Sequence, residues 1–447
     1  MTIIGIRKED KNRWERRAPL VPEEIKKLKE NFGIKTVVES SSIRAFHDDE
    51  YVKAGAQVVD GAPDVPILFG VKEIPLHYFK KGGVYVFFAH VIKGQKHNMP
   101  MLKRMMELGC TLIDYEKITD EKGRRLVFFG KEAGQAGMLD TLWALGKRLE
   151  KEGFETPFSE IKRTVEYSGL EEAKRHLKEI GKRISENGLP EELSPLIVGF
   201  AGYGNVSQGA QEVFDELPHK EIEPGELEEF KKKGKHKKTE LYKVVFKEEH
   251  IVELKEEFFS EKKNGEFDLF DYYNHPEKYK GVFSKYVPHL TVLMNCIYWD
   301  QRYPRLVTKK LIKEIYEKEV RPTFRVVGDI SCDIEGAIEA TIMTREPDAP
   351  VFIYNPFEDA VKDDLSERGL AIMAVDNLPA ELPKESSTRF SKSLYPYVSA
   401  IAKADYSVPF EEIALPPEIK RAVILYKGEL TPEYKYIEKF LSEEVKK

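Results

Sequence analysis

The sequence predicts an α/β protein of two domains built on parallel sheets. Three observations lead there. Short apolar runs of strand length alternate with amphipathic stretches of helix length along most of the chain, the pattern of parallel strands joined by helices. The chain has 447 residues, enough for at least two domains. The stretch Pro195 to Leu217, PLIVGFAGYGNVSQGAQEVFDEL, reads as strand, glycine turn and helix, the order of a Rossmann fingerprint.

Taken in order, Thr2 to Ile6 reads as a first strand, Pro22 to Asn31 as a helix, Lys35 to Val38 as a strand, and Asp48 to Gly55 as a helix closed by its glycine. Three more apolar strands follow, Val65 to Val71, Val84 to Ala89 and Thr111 to Asp114. Each delivers polar residues at its carboxyl end: Lys72 with Glu73, His90, and Glu116. In parallel sheets ligands bind beyond these ends. Brought together, Lys72 and His90 would lower each other's pKa and make proton transfer possible near neutral pH. Taken singly, each has a plainer reading, as a strand-end lysine and as a histidine satisfied at a helix start.

Gly130 to Leu149 reads as a helix leading into the second domain, and Ser159 to Asn187 as a charged, solvated helix. In the fingerprint, Leu196 to Ala201 is the buried strand and Gln208 to Leu217 the helix. Gly202 permits the sharp turn, Gly204 lets backbone approach a pyrophosphate, and the helix amides face that anion. Ser207 takes the place of the third glycine. Lys220 to Glu223 reads as the next strand. It sets Glu223 about twenty residues past the first glycine, where an acid meets a ribose 2′-hydroxyl and favours NAD. The Lys/Glu-rich residues from Gly225 to Lys263, including KKKGKHKK at Lys231 to Lys238, read as an exposed insertion. Leu290 to Trp299, Phe324 to Ile330, Val351 to Tyr354 and Leu370 to Val375 read as strands, and Leu306 to Lys318 and Lys384 to Lys403 as helices.

Two arginine doublets, Arg16-Arg17 and Arg124-Arg125, offer guanidinium forks of the kind that hold carboxylates. With one side chain of each pair turned outward, two are left as ligands. Gln95 adds a hydrogen-bonding group. The net charge of −6 gives no case for nucleic acid. No apolar run approaches the roughly eighteen residues of a membrane span. Cys110, Cys296 and Cys332 have no metal-ligand spacing, so no metal site is expected. The start, MTIIGIRKED, lacks a signal-peptide plan, and a reducing cytoplasm is expected.

ERRAPLVP, GVKEIP, FFAHVIKGQ, IDYEK, GRRLVFFG, GYGNVSQGAQ, ISCDIEGAIE, VDNLPAELP and LYPYV occur in this order. Together they resemble the lysine–2-oxoglutarate reductase family, the reductase half of bifunctional aminoadipic semialdehyde synthase. More distantly the chain resembles fungal saccharopine dehydrogenase (lysine-forming) and alanine dehydrogenase. The resemblance implies a Rossmann nucleotide-binding domain, residues 136–349, inserted into a discontinuous α/β substrate domain of residues 1–135 and 350–447. It implies a reductive, reversible condensation of L-lysine with 2-oxoglutarate to saccharopine.

Through the matching motifs it implies Lys72 as acid/base and His90 as its partner donor. Arg17, Gln95 and Arg125 would hold substrate carboxylates or amines. Arg124 and Asp376 would lie beside the nicotinamide half, Gly202, Gly204 and Asn205 at the pyrophosphate turn, and Glu223 at the adenine ribose. Glu73 and Glu116 would tune Lys72. The resemblance favours NADP(H), whereas the acid at Glu223 leaves NAD(H) open. It also implies a separate saccharopine-oxidising enzyme and leaves room for a homo-oligomer. A related opine or amino-acid dehydrogenase, or a silent NAD(P)-binding module, are the alternative expectations.

Overall fold

The computed structural model describes residues 2–261 and 267–442. It divides into two compact units, residues 1–129 with 383–447, and residues 130–382.

The first unit is built on one eight-stranded sheet. Along the chain come β1 (Ile3–Ile6), α1 (Pro22–Phe32), β2 (Lys35–Glu39), α2 (Asp48–Lys53), β3 (Gln57–Val59), β4 (Ile67–Phe69), β5 (Val84–Phe87), α3 (Met99–Glu107) and β6 (Thr111–Asp114). These six strands are parallel. Each is short and apolar because both faces are covered, so the residues do not alternate with polar ones. α1 starts with a proline and stops at Gly33, whose φ of 68° lets the chain leave the helix.

The second unit begins with α4 (Gly130–Lys151), the longest helix, and then α5 (Leu170–Asn187). The helix expected over Ser159 to Asn187 is shorter than the charge pattern implied. Residues Pro157–Glu160 and Thr164–Glu166 are single 3-10 turns, and α5 starts only after Gly169. The sheet follows: β7 (Ile197–Ala201), α6 (Asn205–Phe214), β8 (His219–Glu221), α7 (Leu227–Lys233), β9 (Leu241–Phe246), α8 (Glu248–Ile251), β10 (Val252–Leu254), α9 (Leu269–Asn274), β11 (Tyr279–Gly281), β12 (Val292–Asn295), α10 (Lys309–Lys318), β13 (Val326–Asp329), β14 (Val351–Asn355), β15 (Ala360–Lys362) and β16 (Leu370–Met373). Its order is β15-β14-β16-β13-β12-β7-β9-β8, with β10 and β11 a separate antiparallel pair. Side chains alternate between two apolar layers. Val198, Phe200, Val292 and Met294 pack on one face, and Ile197, Ala201, Tyr242 and Leu293 on the other.

The chain then returns to the first unit with α11 (Pro383–Lys403), β17 (Val423–Tyr426) and β18 (Glu429–Leu430). β17 joins β6 antiparallel, completing the order β18-β17-β6-β5-β4-β1-β2-β3. Phe390 of α11 stacks on Phe129 with centroids 4.5 Å apart.

Two expectations are corrected here. The second boundary falls at 382/383 and not at 349/350. β16 pairs in parallel with β13, and β14 pairs antiparallel with β16, so residues 350–382 complete the second unit's sheet. The Lys/Glu-rich stretch from Gly225 to Lys263 is also not all an exposed insertion. It contains β9, buried beside β7, although residues 262–266 lie outside the described part.

Candidate active site

In the first unit, β1 lies between β2 and β4. The chain winds outward to β3 on one side and to β6 on the other, so β1 and β4 flank a topological switch point, where the carboxyl edge of a parallel sheet opens a crevice. Lys72 follows β4 and His90 follows β5 at that edge.

Glu9, just beyond β1, fixes the lysine's segment. Its carboxylate accepts hydrogen bonds from the Val71 N–H at 2.8 Å and the Lys72 N–H at 3.0 Å, and from Arg7 Nη1 at 3.3 Å. Arg7 also donates to the Glu73 carbonyl at 3.2 Å. Both Arg7 and Glu9 are buried. Burial pushes the Glu9 carboxyl up, and the Arg7 charge and the two amides oppose that rise.

Lys72 itself is half-buried. Burial lowers its pKa from the usual lysine value, and the charges of Arg17 and Lys11 lower it further, against Glu15 and Glu73. A lysine held low in this way is a proton acceptor as well as a donor. The mutual depression expected of Lys72 and His90 is therefore not its leading cause. His90 pairs instead with Glu73, Nδ1 to Oε1 at 2.6 Å. Burial alone would raise Glu73, but the hydrogen bond and charge of His90 bring it to about 2. Glu73 thus acts on both groups. His90 sits at φ 48°, a conformation that costs a non-glycine residue about 1–3 kcal/mol and persists where surroundings enforce it. Asn98 Nδ2 donates to its carbonyl at 3.2 Å. Buried Asp114 ties β5 to β6 by accepting from the Ala89 N–H at 3.3 Å and the Glu116 N–H at 2.9 Å.

The arginines are less open than the sequence implied. Arg17 is buried, with its fork on Glu15: Nε to Oε1 at 2.8 Å and Nη2 to Oε2 at 2.6 Å. Its guanidinium lies 4.3 Å from the Phe129 ring centroid. Arg16 is the outward member, donating to the Ile43 carbonyl at 3.0 Å. Arg125 is exposed and engages Glu116. Glu116 is thus held by an arginine, and Glu73 is left as the tuner of Lys72. Arg124 is exposed and pairs with Asp120 at 2.6 Å. Half-buried Gln95 accepts from the Lys93 N–H at 3.2 Å.

In the second unit, β7 stands at the corresponding switch point, between β12 and β9. Gly202 has φ 96°, a left-handed turn that favours glycine. A Cβ on Gly204 would meet no heavy atom within 4 Å, so this backbone faces open space. α6 begins at Asn205, and its N-cap, Gly204, supplies no side-chain hydrogen bond. The first amides of the helix are therefore directed at whatever occupies that space, and they favour an anion. These features fit a dinucleotide pyrophosphate. Close helix packing is supplied by Gly134 of α4 and Gly209 of α6. A Cβ on either would fall 1.9 Å from the Val206 carbonyl oxygen or 2.0 Å from that of Lys131. Ser207 is buried and accepts from Gln211 Nε2 at 2.9 Å.

Glu223 does not follow the strand that neighbours β7. It is exposed, beyond the edge strand β8, with β9 between it and β7. Asp376 is exposed beyond β16, with β13 and β12 between it and β7. Nearer the turn, the ends of β12 and β13 carry Asn295 and Asp329, joined at 2.8 Å and both buried. Burial raises Asp329 to about 6, against hydrogen bonds from Thr341, Asn295 and Cys332.

Sequence reading missed Glu9, Glu15 and the Asn295–Asp329 pair. Glu9 lies in RKEDKNRWERR, whose charge density reads as solvent exposure and hides a buried carboxylate. Glu15 stands inside the ERRAPL motif, and its place beside Arg17 was the available signal. Among the described residues no group of three or more His, Cys, Asp or Glu is arranged to hold a metal. Among the described residues no helix is long and apolar enough to cross a membrane.

Comparison with known proteins agrees with this architecture. Family models of alanine dehydrogenase/PNT match twice, the N-terminal domain over residues 5–136 and the C-terminal domain over residues 277–433. The alpha-aminoadipic semialdehyde synthase of Arabidopsis thaliana is 38% identical over 97% of this chain and 41% of its own length. The mitochondrial enzyme of that name from Mus musculus is 36% identical over 98% of this chain and 48% of its own. The chain thus spans about half the length of these relatives. A saccharopine dehydrogenase [NAD(+), L-lysine-forming] of Emericella nidulans is 28% identical over 86% of this chain and 88% of its own. A solved L-alanine dehydrogenase superposes with a TM-score of 0.62 at 19% identity, covering 98% of this chain and 99% of that one. The fold is therefore that of alanine dehydrogenase, and the chain belongs to the alanine dehydrogenase/PNT family and is similar in sequence to alpha-aminoadipic semialdehyde synthases and saccharopine dehydrogenases.

Proposed function

We propose that the protein is a lysine–2-oxoglutarate reductase, joining the ε-amine of L-lysine to the ketone of 2-oxoglutarate and reducing the product to saccharopine. One observation carries the reading. Lys72, whose ammonium is held low by burial and by Arg17, shares Glu73 with His90 at the switch point of the first unit. Imine formation needs this kind of arrangement. The incoming ammonium must lose a proton before it can attack, and the carbinolamine oxygen must gain one to leave as water. Neutral Lys72 takes the first proton. His90, oriented by its hydrogen bond to Glu73, is placed to supply the second. Glu73 keeps its charge throughout, so it steadies both partners without exchanging protons itself.

A nicotinamide nucleotide held at Gly202, Gly204 and Asn205 supplies the hydride. The motif resemblance and the semialdehyde synthase relatives support lysine and 2-oxoglutarate as substrates. The resemblance favours NADPH as the coenzyme, and NADH is the alternative. Three free cysteines are in keeping with a cytoplasmic setting.

The test is oxidation of NADH and of NADPH, each with L-lysine plus 2-oxoglutarate, beside ornithine and ammonia as amine controls. Turnover that requires lysine supports the reading. Turnover with another amine in its place sinks it and leaves a related opine or amino-acid dehydrogenase.

A further inference from the structure

The strand beside β7 in the sheet is not the next one in sequence. β8 is the edge strand, and β9 pairs with β7 from Ile197↔Tyr242 to Ala201↔Phe246. The Gly202 N–H donates to the Phe246 carbonyl at 2.9 Å, so the end of β9 is locked to the glycine turn. In a dinucleotide fold the acid that meets the adenosine ribose stands at the end of the neighbouring strand. By position in the sheet that corner belongs to the β9–α8 junction, and the acid there is Glu248.

The surroundings of Glu248 support this. A cavity of about 440 Å³ opens beside the turn, lined by Gly202, Tyr203, Gly204, Glu248 and the tyrosines 272 and 273, among others. Tyr273 donates its hydroxyl to Glu248 Oε1 at 2.5 Å. The Tyr203 hydroxyl also hydrogen-bonds this carboxylate, so two tyrosines hold it in place, and its remaining lone pairs can accept a further donor. Among the described residues no lysine or arginine lines this cavity. Lys247 is exposed beside it and is not part of the lining. A ribose 2′-hydroxyl would donate to the carboxylate. A 2′-phosphate at the same place would meet like charge with no cation among the described residues of the wall.

We propose that Glu248, not Glu223, receives the adenosine ribose and makes this protein select NAD(H) over NADP(H). The inference rests on the reading that the Gly202–Gly204 turn binds a nicotinamide nucleotide. Direct binding tests it, by calorimetric titration of the purified chain with NAD⁺ and with NADP⁺. The wild type should bind NAD⁺ about tenfold or more tighter than NADP⁺. E248Q keeps the acceptor for Tyr273 but removes the charge, and should narrow that gap by about tenfold. E223Q should leave the gap as it is. Tighter binding of NADP⁺ by the wild type, an unchanged gap in E248Q, or a gap that closes in E223Q would each overturn the inference while leaving the nucleotide site in place. Binding of neither nucleotide would overturn the site and the inference together.

Discussion

At the scale of single residues, the proposed chemistry turns on Lys72. Its pKa is lowered by burial first and by Arg17 second, so the neutral form becomes available below the usual lysine range near 10.4. The rate of condensation at subsaturating lysine should therefore rise with pH along a limb that begins below that value. K72M removes the acceptor and should lower kcat/KM by about 10²–10⁴-fold, with nucleotide binding unchanged because the glycine turn is in the other unit. A pH–rate profile of the wild type and a calorimetric titration of K72M check both halves. A limb centred at or above the free-lysine value, or a K72M enzyme with wild-type turnover, would remove Lys72 from the proposed role. Arg17 behaves differently from its doublet partner for a related reason. Glu15 already fills its fork, and the Arg17 charge depresses Lys72.

At the scale of elements, helix α4 and helix α6 meet through glycine. Gly209 has room for a hydrogen and nothing more, since a methyl there would lie 2.0 Å from the Lys131 carbonyl oxygen. That atom belongs to backbone and cannot rotate away. G209A should therefore destabilise the second unit by about 1–3 kcal/mol, the usual cost of overpacking. That corresponds to a lower Tm by several degrees at this size, roughly 2–4 °C per kcal/mol. An alanine variant melting with the wild type by differential scanning calorimetry would show that the helices part freely. The same elements show what a sequence can reveal. Most strands were legible because parallel strands covered on both faces are unbroken apolar runs. β9 was not, because Lys243 interrupts LYKVVF. That lysine is buried in the sheet, where it pairs with Asp215 at 2.8 Å and Glu221 at 3.0 Å, partners that only the folded chain brings near. The shift of the ribose position from Glu223 to Glu248 follows from the same hidden strand, because counting residues from the glycine assumes that the next strand in sequence is the next in space. Lys72 and His90 were legible since strand ends are visible in sequence, whereas Glu9 and Glu15 look like any other charges in a charged loop.

At the scale of the whole molecule, the chain passes between its two units twice, at 129/130 and at 382/383. The residues beside these crossings are joined inside the second unit by a pair of acids. Asp140, on the helix that follows the first crossing, and Glu381, just before the second, are both buried. Asp140 Oδ1 accepts from the Thr164 N–H at 2.8 Å, while Asp140 Oδ2 and both Glu381 oxygens face no conventional donor. Two carboxyls so placed are satisfied when one of them carries a proton and donates it to the other. Burial raises Asp140, though its hydrogen bonds with Glu381 and Thr164 restrain it. Burial and the Asp140 charge together raise Glu381 well above the usual carboxyl value, so Glu381 holds the proton. Arg163 is the charged group that acts on both. The sign of the linkage follows. The folded pKa is above the unfolded one, near 4.3 for a glutamate, so the folded state binds the extra proton. This contribution to stability is full below that unfolded value and is lost as pH rises through the folded pKa. E381Q supplies a permanent donor to Asp140 and removes the dependence. Urea unfolding of the wild type and E381Q at several pH values between 5 and 8 should show the variant gaining on the wild type as pH rises, by at most about 1.4 kcal/mol per pH unit. A difference that stays constant across that range would mean that no proton is shared there, and that the two crossings are held together by packing alone.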